Sequence, residues 1–101
     1  MSYAYCSDTM FDPRVAADVE GTDTIYHEAT YGESEAHLAR PRGHSTAAQA
    51  GIIARMAGAR RLILGHFSKR YFDEAPLVEQ ARAEFNGDVI AANEGMKINL
   101  L

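Results

Sequence analysis

The strongest constraint on the fold of this chain is that short strand-like segments alternate with helical ones. The segments follow one another in the order β-α-β-α-α-β-α-β-β. Alternation of this kind is typical of an α/β layer whose neighbouring strands are largely parallel. The strand-like segments are Ser2–Ser7, Thr24–Tyr26, Arg61–Gly65, Val89–Ala92 and Lys97–Leu101.

The helical segments begin and end at recognisable residues. Pro13 suits the first turn of a helix that Gly21 ends. Ser45 or Thr46 is a suitable N-cap for the longest helix, which runs to about Ala57. Further helices are predicted over Glu33–Ala39 and from Pro76 to Asn86.

Length and composition indicate one domain over residues 1–101. Cys6 is the only cysteine, which excludes a disulfide framework and a thiolate zinc cluster and fits a reducing cytosol. We expect neither a signal peptide nor a membrane span, because no apolar run approaches about 18 residues. The net charge of -4 gives no basic footprint over the whole chain, but basic residues concentrate in the middle third, where a local anion-binding face stays open.

Three strand-like segments run into side chains that bind metals or carry protons. Asp8 follows the first segment, His27 the second and His66 the third. Because ligands bind in the crevice at the carboxyl ends of the strands in an open α/β sheet, these side chains suggest half of a hydrolytic metal centre. Each residue alone also has a simpler interpretation, as a turn aspartate or as a buried histidine bonded to a carbonyl group.

The H-E-A-T segment places His27 beside Glu28. Histidine titrates near neutral pH and can protonate a leaving oxygen. Adjacent residues of an extended chain point in opposite directions, so we do not expect these two residues to contact each other unless the strand has ended. The acid that orients His27 is therefore left open.

Two further segments have features that suit a phosphate. Gly43-His-Ser-Thr lies at the N-terminus of a predicted helix, where free backbone N–H groups, hydroxyls and the helix dipole favour an anion. Arg70 and Tyr71, just after His66, suit a phosphate contact and stacking on a base. An ordinary capped helix and plain surface residues are the alternative interpretations.

Four segments together resemble a known family. Y-C-S-D-T, H-E-A-T-Y, G-H-S-T-A and L-I-L-G-H-F-S-K-R-Y occur in the order found in the C-terminal half of ribonuclease Z. These proteins are the tRNA 3′-processing endonucleases of the metallo-β-lactamase superfamily. The resemblance covers nearly the whole chain. It implies that residues 1–101 form a single C-terminal half-domain of an αββα sandwich, with a mixed sheet and helices on one face.

The resemblance also implies roles for individual residues. Asp8 would bridge two zinc ions, and His66 would ligate one of them. His27 would help to protonate the leaving 3′ oxygen of precursor tRNA. The remaining residues would contact the RNA, either near its end or at a phosphate: His44, Ser45, Thr46 and Arg70.

The sequence lacks the H-x-H-x-D-H motif of the family, which carries further zinc ligands and the aspartate that activates water. It also lacks an upstream zinc-binding histidine and the arm that grips tRNA. Two zinc ligands fall short of the three that a catalytic zinc normally has. We therefore expect this chain alone to bind zinc weakly or not at all and not to cleave RNA.

Loss of the other half of a sandwich would expose an apolar sheet face, and such a face usually finds a partner. We expect a homo-oligomer or association with the missing N-terminal half. Two other functions stay open: another metallo-β-lactamase-fold hydrolase, acting on a different phosphodiester or a lactone, and a non-catalytic α/β module. A cytoplasmic location is expected in each case.

Overall fold

The computed structural model describes residues 3–6, 12–65, 67–68 and 75–92. Within these residues the predicted alternation of strands and helices is present. The predicted strand over Lys97–Leu101 lies outside them. The elements are β1 (Tyr3–Cys6), α1 (Arg14–Asp18), β2 (Thr24–Glu28), a 3₁₀ turn (Glu33–Glu35), α2 (Ala36–Ala39), a second 3₁₀ turn (Arg40–Arg42), α3 (Ala47–Ala57), β3 (Arg61–Gly65), α4 (Ala75–Arg82) and β4 (Asp88–Ala91).

The described strands form one sheet in the order β1-β2-β3-β4, and each pairs in parallel with the next. Every crossover therefore moves to the adjacent strand in the same direction. Because such crossovers share one hand, the helices are placed on the same face of the sheet. The mixed character predicted for the sheet is not tested by the described strands.

The helix-covered face of the sheet carries the hydrophobic core. Ile25, Leu62 and Val89 stand in register on adjacent strands and are at most 6% exposed. They pack in one cluster with buried side chains of all three longer helices, such as Ile53 of α3 and Leu77 of α4. The prediction of helices on one face is thus confirmed.

The opposite face carries large side chains as well. Tyr26, Ile63 and Ile90 stand in register there, because successive strand residues alternate between faces. Ile63 is 1% exposed, and the other two are half-buried. A Cβ atom at Gly65 would overlap the ring of Tyr26, so the absence of a side chain lets this ring cross the end of β3. An apolar second face is what half of a sandwich requires.

Helix α3 is fixed at both ends by local hydrogen bonds. Of the two predicted caps, Thr46 is the N-cap: its Oγ1 accepts from the N–H of Gln49 at 3.1 Å, and Gln49 Oε1 accepts from the N–H of Thr46 at 2.9 Å. Gly58 ends the helix in the left-handed conformation, with φ of 72°. The position of the loop before α3 therefore follows from a rigid helix start.

Two predicted boundaries differ from the structure. Strand β2 extends through His27 and Glu28, because these residues continue the ladder opposite Leu64 and Gly65. The helix predicted over Glu33–Ala39 begins as a 3₁₀ turn and is followed by a second one over Arg40–Arg42, since proline is tolerated at the first positions of such a turn. None of the helices in the described residues has the length and apolar character needed to cross a membrane.

Candidate active site at the carboxyl end of the sheet

The structure brings together some of the residues predicted for the site. His27 lies near the end of β2, and His44, Ser45 and Thr46 form the loop between the second 3₁₀ turn and α3. The zinc ligands predicted at Asp8 and His66 and the phosphate contact predicted at Arg70 lie outside the described residues.

The H-E-A-T-Y and G-H-S-T segments lie side by side. Tyr31 forms a parallel bridge with Thr46. The N–H of Tyr31 donates to the carbonyl of Ser45 at 3.4 Å, and the N–H of Ala47 donates to the carbonyl of Tyr31 at 3.0 Å. Two segments that are distant along the chain are thus joined backbone to backbone beside the end of β2.

The carboxylate of Glu28 is buried between these segments, with 0% exposure. Its Oε2 accepts from Thr30 Oγ1 at 2.5 Å and from the N–H of Ser45 at 3.3 Å, and its Oε1 accepts from His44 Nδ1 at 3.0 Å. A buried carboxylate is tolerated only when donors of this kind satisfy it. Glu28 therefore fixes the G-H-S-T loop, a role that sequence reasoning missed.

This arrangement changes the interpretation of the loop as a phosphate site. The N–H of Ser45 is bonded to Glu28, and the N–H groups of Thr46 and Gln49 are engaged in the capping box. The expectation of free amides was wrong, because the carboxylate of Glu28 takes the place of an anion there. Ser45 and Thr46 are buried, whereas the side chain of His44 is 22% exposed.

The imidazole of His27 is completely buried, and its Nδ1 lies 2.8 Å from the carbonyl oxygen of Glu28. Since a carbonyl oxygen can only accept, Nδ1 carries the hydrogen and Nε2 has the lone pair. Burial lowers the pKa of His27 below its ordinary value of 6.5, although the bond to Glu28 acts in the opposite direction. His27 is thus neutral near pH 7.

The contact between His27 and Glu28 corrects an expectation from the sequence. The two residues do touch, but through the backbone carbonyl of Glu28, while its carboxylate turns to His44. Among the described residues it is this carbonyl oxygen, rather than an acid, that orients the imidazole of His27.

The Nε2 atom of His27 is buried and has no hydrogen-bond partner among the described residues. A neutral imidazole whose other nitrogen donates to a carbonyl oxygen is prepared to bind a metal or to exchange a proton. Within residues 3–6, 12–65, 67–68 and 75–92, no three His, Cys, Asp or Glu side chains are close enough to hold a metal ion.

The polar network continues from His44 to the surface. The buried ring of Tyr31 meets the imidazole of His44 edge to face, with ring centres 6.3 Å apart and planes at 66°. The Tyr31 hydroxyl accepts a hydrogen bond from Arg42 Nη1 at 3.1 Å. The second 3₁₀ turn is thereby connected to the site.

No protein-family model matches the chain. Two of the curated proteins that it resembles are named ribonuclease Z. The protein of Porphyromonas gingivalis is 50% identical over 98 residues, which are 97% of this chain and 32% of that protein. The protein of Bacteroides fragilis is 48% identical over the same shares of both chains. This chain thus spans about a third of the length of its curated relatives.

Solved structures show the same relationship. The metallo-β-lactamase fold protein YhfI from Bacillus subtilis superposes with a TM-score of 0.82 and 26% identity, over 91% of this chain and 37% of that one. Human tRNase Z, short form, superposes with a TM-score of 0.64 and 29% identity, over 86% of this chain and 28% of that one. The resemblance predicted from four short motifs is confirmed: this chain is similar to a segment of ribonuclease Z and has part of the metallo-β-lactamase fold.

Proposed function

We propose that this chain is part of a zinc-dependent endoribonuclease that cleaves the 3′ trailer from precursor tRNA in the cytoplasm. The main support is the 50% identity with a protein named ribonuclease Z, which extends over 97% of this chain. The similarity to human tRNase Z, short form, supports the same substrate class. Because this chain spans about a third of those relatives, the activity is proposed for a larger protein.

In this proposal His27 first takes up a proton at Nε2, and this protonated form then gives that proton to the leaving 3′ oxygen and returns to the neutral form. The hydrogen bond from Nδ1 to the carbonyl of Glu28 fixes the ring and leaves Nε2 as the atom that exchanges the proton. Burial lowers the pKa of His27, which makes its protonated form a stronger acid. Orientation and acidity are therefore both set by the end of β2.

The zinc ligands proposed in this chain are Asp8 and His66. A carboxylate and a neutral imidazole are among the ligands that zinc prefers, and bound zinc would lower the pKa of the attacking water. A complete site, proposed to hold two zinc ions, needs further ligands from another part of the protein. We therefore propose that the isolated chain binds zinc weakly or not at all and leaves RNA uncut.

The second face of the sheet is proposed to bind a partner. Ile63 and the half-buried Tyr26 and Ile90 form an apolar row on the face away from the helices. In the larger protein the N-terminal part would cover this face, and in the isolated chain a second copy would do so. A monodisperse monomer in light scattering at tens of micromolar would contradict this part of the proposal.

A chimera tests the proposed activity. Residues of this chain replace the matching 98 residues of the Porphyromonas gingivalis ribonuclease Z, and cleavage of a precursor tRNA is measured. We expect cleavage at the 3′ end of the tRNA. A folded, zinc-loaded chimera that leaves the precursor intact would refute the proposal. The isolated chain is measured in parallel, with zinc determined after dialysis.

A second candidate function is hydrolysis of a different phosphodiester or of a lactone. The higher TM-score with YhfI, described only by its metallo-β-lactamase fold, keeps this candidate open. A panel of an activated phosphodiester, a lactone and precursor tRNA, tested with the same chimera, separates the two. Preference for either small substrate over RNA would favour the second candidate.

A further inference from the structure

The arginines of the described residues lie in different surroundings. Arg60 and Arg61 line a pocket of about 260 Å³ at the amino ends of the strands, together with Asp23 and Asp88. Other arginines form ion pairs, which are Arg14–Asp12 at 2.7 Å, Arg55–Glu84 at 3.4 Å and Arg82–Glu79 at 2.9 Å.

Arg40 and Arg42 lie elsewhere, on the second 3₁₀ turn. Both are exposed, and within the part of the chain that the structure describes neither forms an ion pair with a carboxylate. The carboxylate of Asp12 experiences the charge of Arg40 but is already bonded to Arg14. One short turn thus carries two exposed guanidinium groups.

Backbone hydrogen bonds fix this turn beside the candidate site. The N–H of Gly43 donates to the carbonyl of Arg40 at 3.1 Å, and the N–H of His44 donates to the carbonyl of Ala39 at 2.8 Å. Pro41 restricts the backbone between the two arginines, and Gly43 has a φ of 72°, which favours glycine. Binding a ligand here would therefore cost little backbone entropy.

Arg42 is also held through its side chain. Its Nη1 donates to the hydroxyl of Tyr31, whose ring contacts His44. A guanidinium group has five N–H donors in a planar fork, so most remain for a ligand. The fork matches the oxygens of a phosphate, which makes arginine suited to phosphate recognition.

We propose that Arg40 and Arg42 bind the phosphate backbone of RNA next to the carboxyl end of the sheet. This inference rests on the proposed function, which supplies RNA as the substrate, and extends it to residues that the four motifs do not include. Phosphate contacts position a nucleic acid without reading its sequence. The pair would hold the acceptor stem or trailer in register while His27 meets the cleaved bond.

The test measures binding of a fluorescent RNA minihelix with a 3′ trailer by anisotropy, over a range of salt concentrations. The isolated chain and the chimera are compared with variants carrying Arg40→Gln and Arg42→Gln. Arg60→Gln and Arg61→Gln serve as the matched control, because they remove the same charge at the other end of the sheet. KM and kcat for precursor tRNA are measured on the chimeras.

We expect the Arg40 and Arg42 variants to weaken RNA binding about five- to tenfold and to reduce the slope of log K against log salt by about 1 to 2, as loss of two phosphate contacts predicts. KM should rise while kcat stays unchanged, because these contacts are equal in ground state and transition state. The control pair should leave both quantities unchanged.

Other outcomes overturn the inference. Equal losses from both arginine pairs would indicate a general charge effect, and no loss from Arg40 and Arg42 would exclude phosphate binding there. If the chimera cleaves precursor tRNA but the Arg40→Gln and Arg42→Gln substitutions leave its KM unchanged, this inference fails and the proposed function stands. If neither protein binds or cleaves RNA, both fail.

Discussion

The two ends of the sheet use polar residues in opposite ways. At the carboxyl end, Glu28 and His27 are fully buried, and side-chain hydrogen bonds link Glu28 to the next loop. At the amino end, Arg60 and Asp88 are exposed beside an open pocket. The backbone hydrogen bonds there, such as that from the N–H of Arg60 to the carbonyl of Asp23 at 2.9 Å, need no particular side chain.

This difference shows why the number of charges is a poor guide to a functional site. Exposed charges at the amino end keep their hydration and contribute little to stability or specificity. A carboxylate and an imidazole that are buried lose hydration, and proteins tend to keep such groups where they are needed for function. Burial of Glu28 and His27 therefore marks the carboxyl end more clearly than the arginine pair marks the amino end.

Among substitutions that test the difference between the two ends of the sheet, His27→Ala should have the largest effect. In the chimera we expect kcat for precursor tRNA to fall by about 10²- to 10⁴-fold, as for removal of a general acid. Circular dichroism and zinc content establish that the variant is folded and loaded. Arg60→Gln, at the amino end, should keep full activity, and an unchanged kcat for His27→Ala would remove that residue from the mechanism.

Glu28→Gln should destabilise the fold by about 3 kcal/mol, because a glutamine cannot accept from all three donors and leaves a buried group unsatisfied. Urea unfolding of the chain measures the loss. Asp88→Asn at the amino end is the matched control, with an expected change within about 0.5 kcal/mol. Similar losses at both ends would show that the buried network is not special.

Gly65→Ala should cost about 2 kcal/mol, because the new methyl group would overlap the ring of Tyr26 at the carboxyl end of β3. The same substitution in a Tyr26→Ala background should cost clearly less, since the obstacle is gone. Urea unfolding of the four proteins completes a double-mutant cycle. If the two substitutions have additive effects on the free energy of unfolding, the contact between position 65 and the ring of Tyr26 is contradicted.

The pH dependence of stability tests the burial of His27. Because the pKa of His27 is lower in the folded than in the unfolded protein, acid protonates the unfolded state first. Its contribution to stability is full above pH 6.5 and is lost as the pH falls below that value, by up to about 1.4 kcal/mol per pH unit. His27→Asn should remove this slope, whereas substitution of the exposed His37 should keep it.

The smallest effect is expected at the amino end itself. Replacing Arg60 and Arg61 together with glutamine should change the free energy of unfolding by no more than about 0.5 kcal/mol, since Arg60 is exposed and Arg61 only half-buried. Urea unfolding provides the value. A loss of stability comparable with that of Glu28→Gln would mean that the pocket lined by Asp23 and Asp88 contributes substantially to the stability of the fold.

Much of the fold was predictable because its signals are local. Thr46 caps α3 through a neighbour three residues away, and Gly58 ends the same helix by its own backbone conformation. The apolar β3 is read directly from the sequence. The end of β2 was missed, since His27 and Glu28 are polar and remain in the strand because β1 and β3 offer ladder partners.

The candidate site was predictable as a set of residues but not as a network. Strand ends located His27, and the predicted helix start located His44 to Thr46, for which the resemblance then implied contact with RNA. The bond between Glu28 and His44 joins residues 16 positions apart, and it depends on how the intervening segment folds back. Neither periodicity nor spacing contains that information, so the burial of Glu28 was visible only in three dimensions.

The bridge between Tyr31 and Thr46 has a consequence for insertions and deletions. Because hydrogen bonds hold the backbone together at both ends of residues 32–45, this segment is a loop that is closed at its base. Lengthening a closed surface loop costs little free energy, since the closure entropy grows only with the logarithm of its length. Insertions in this segment should therefore leave the strand ends in place.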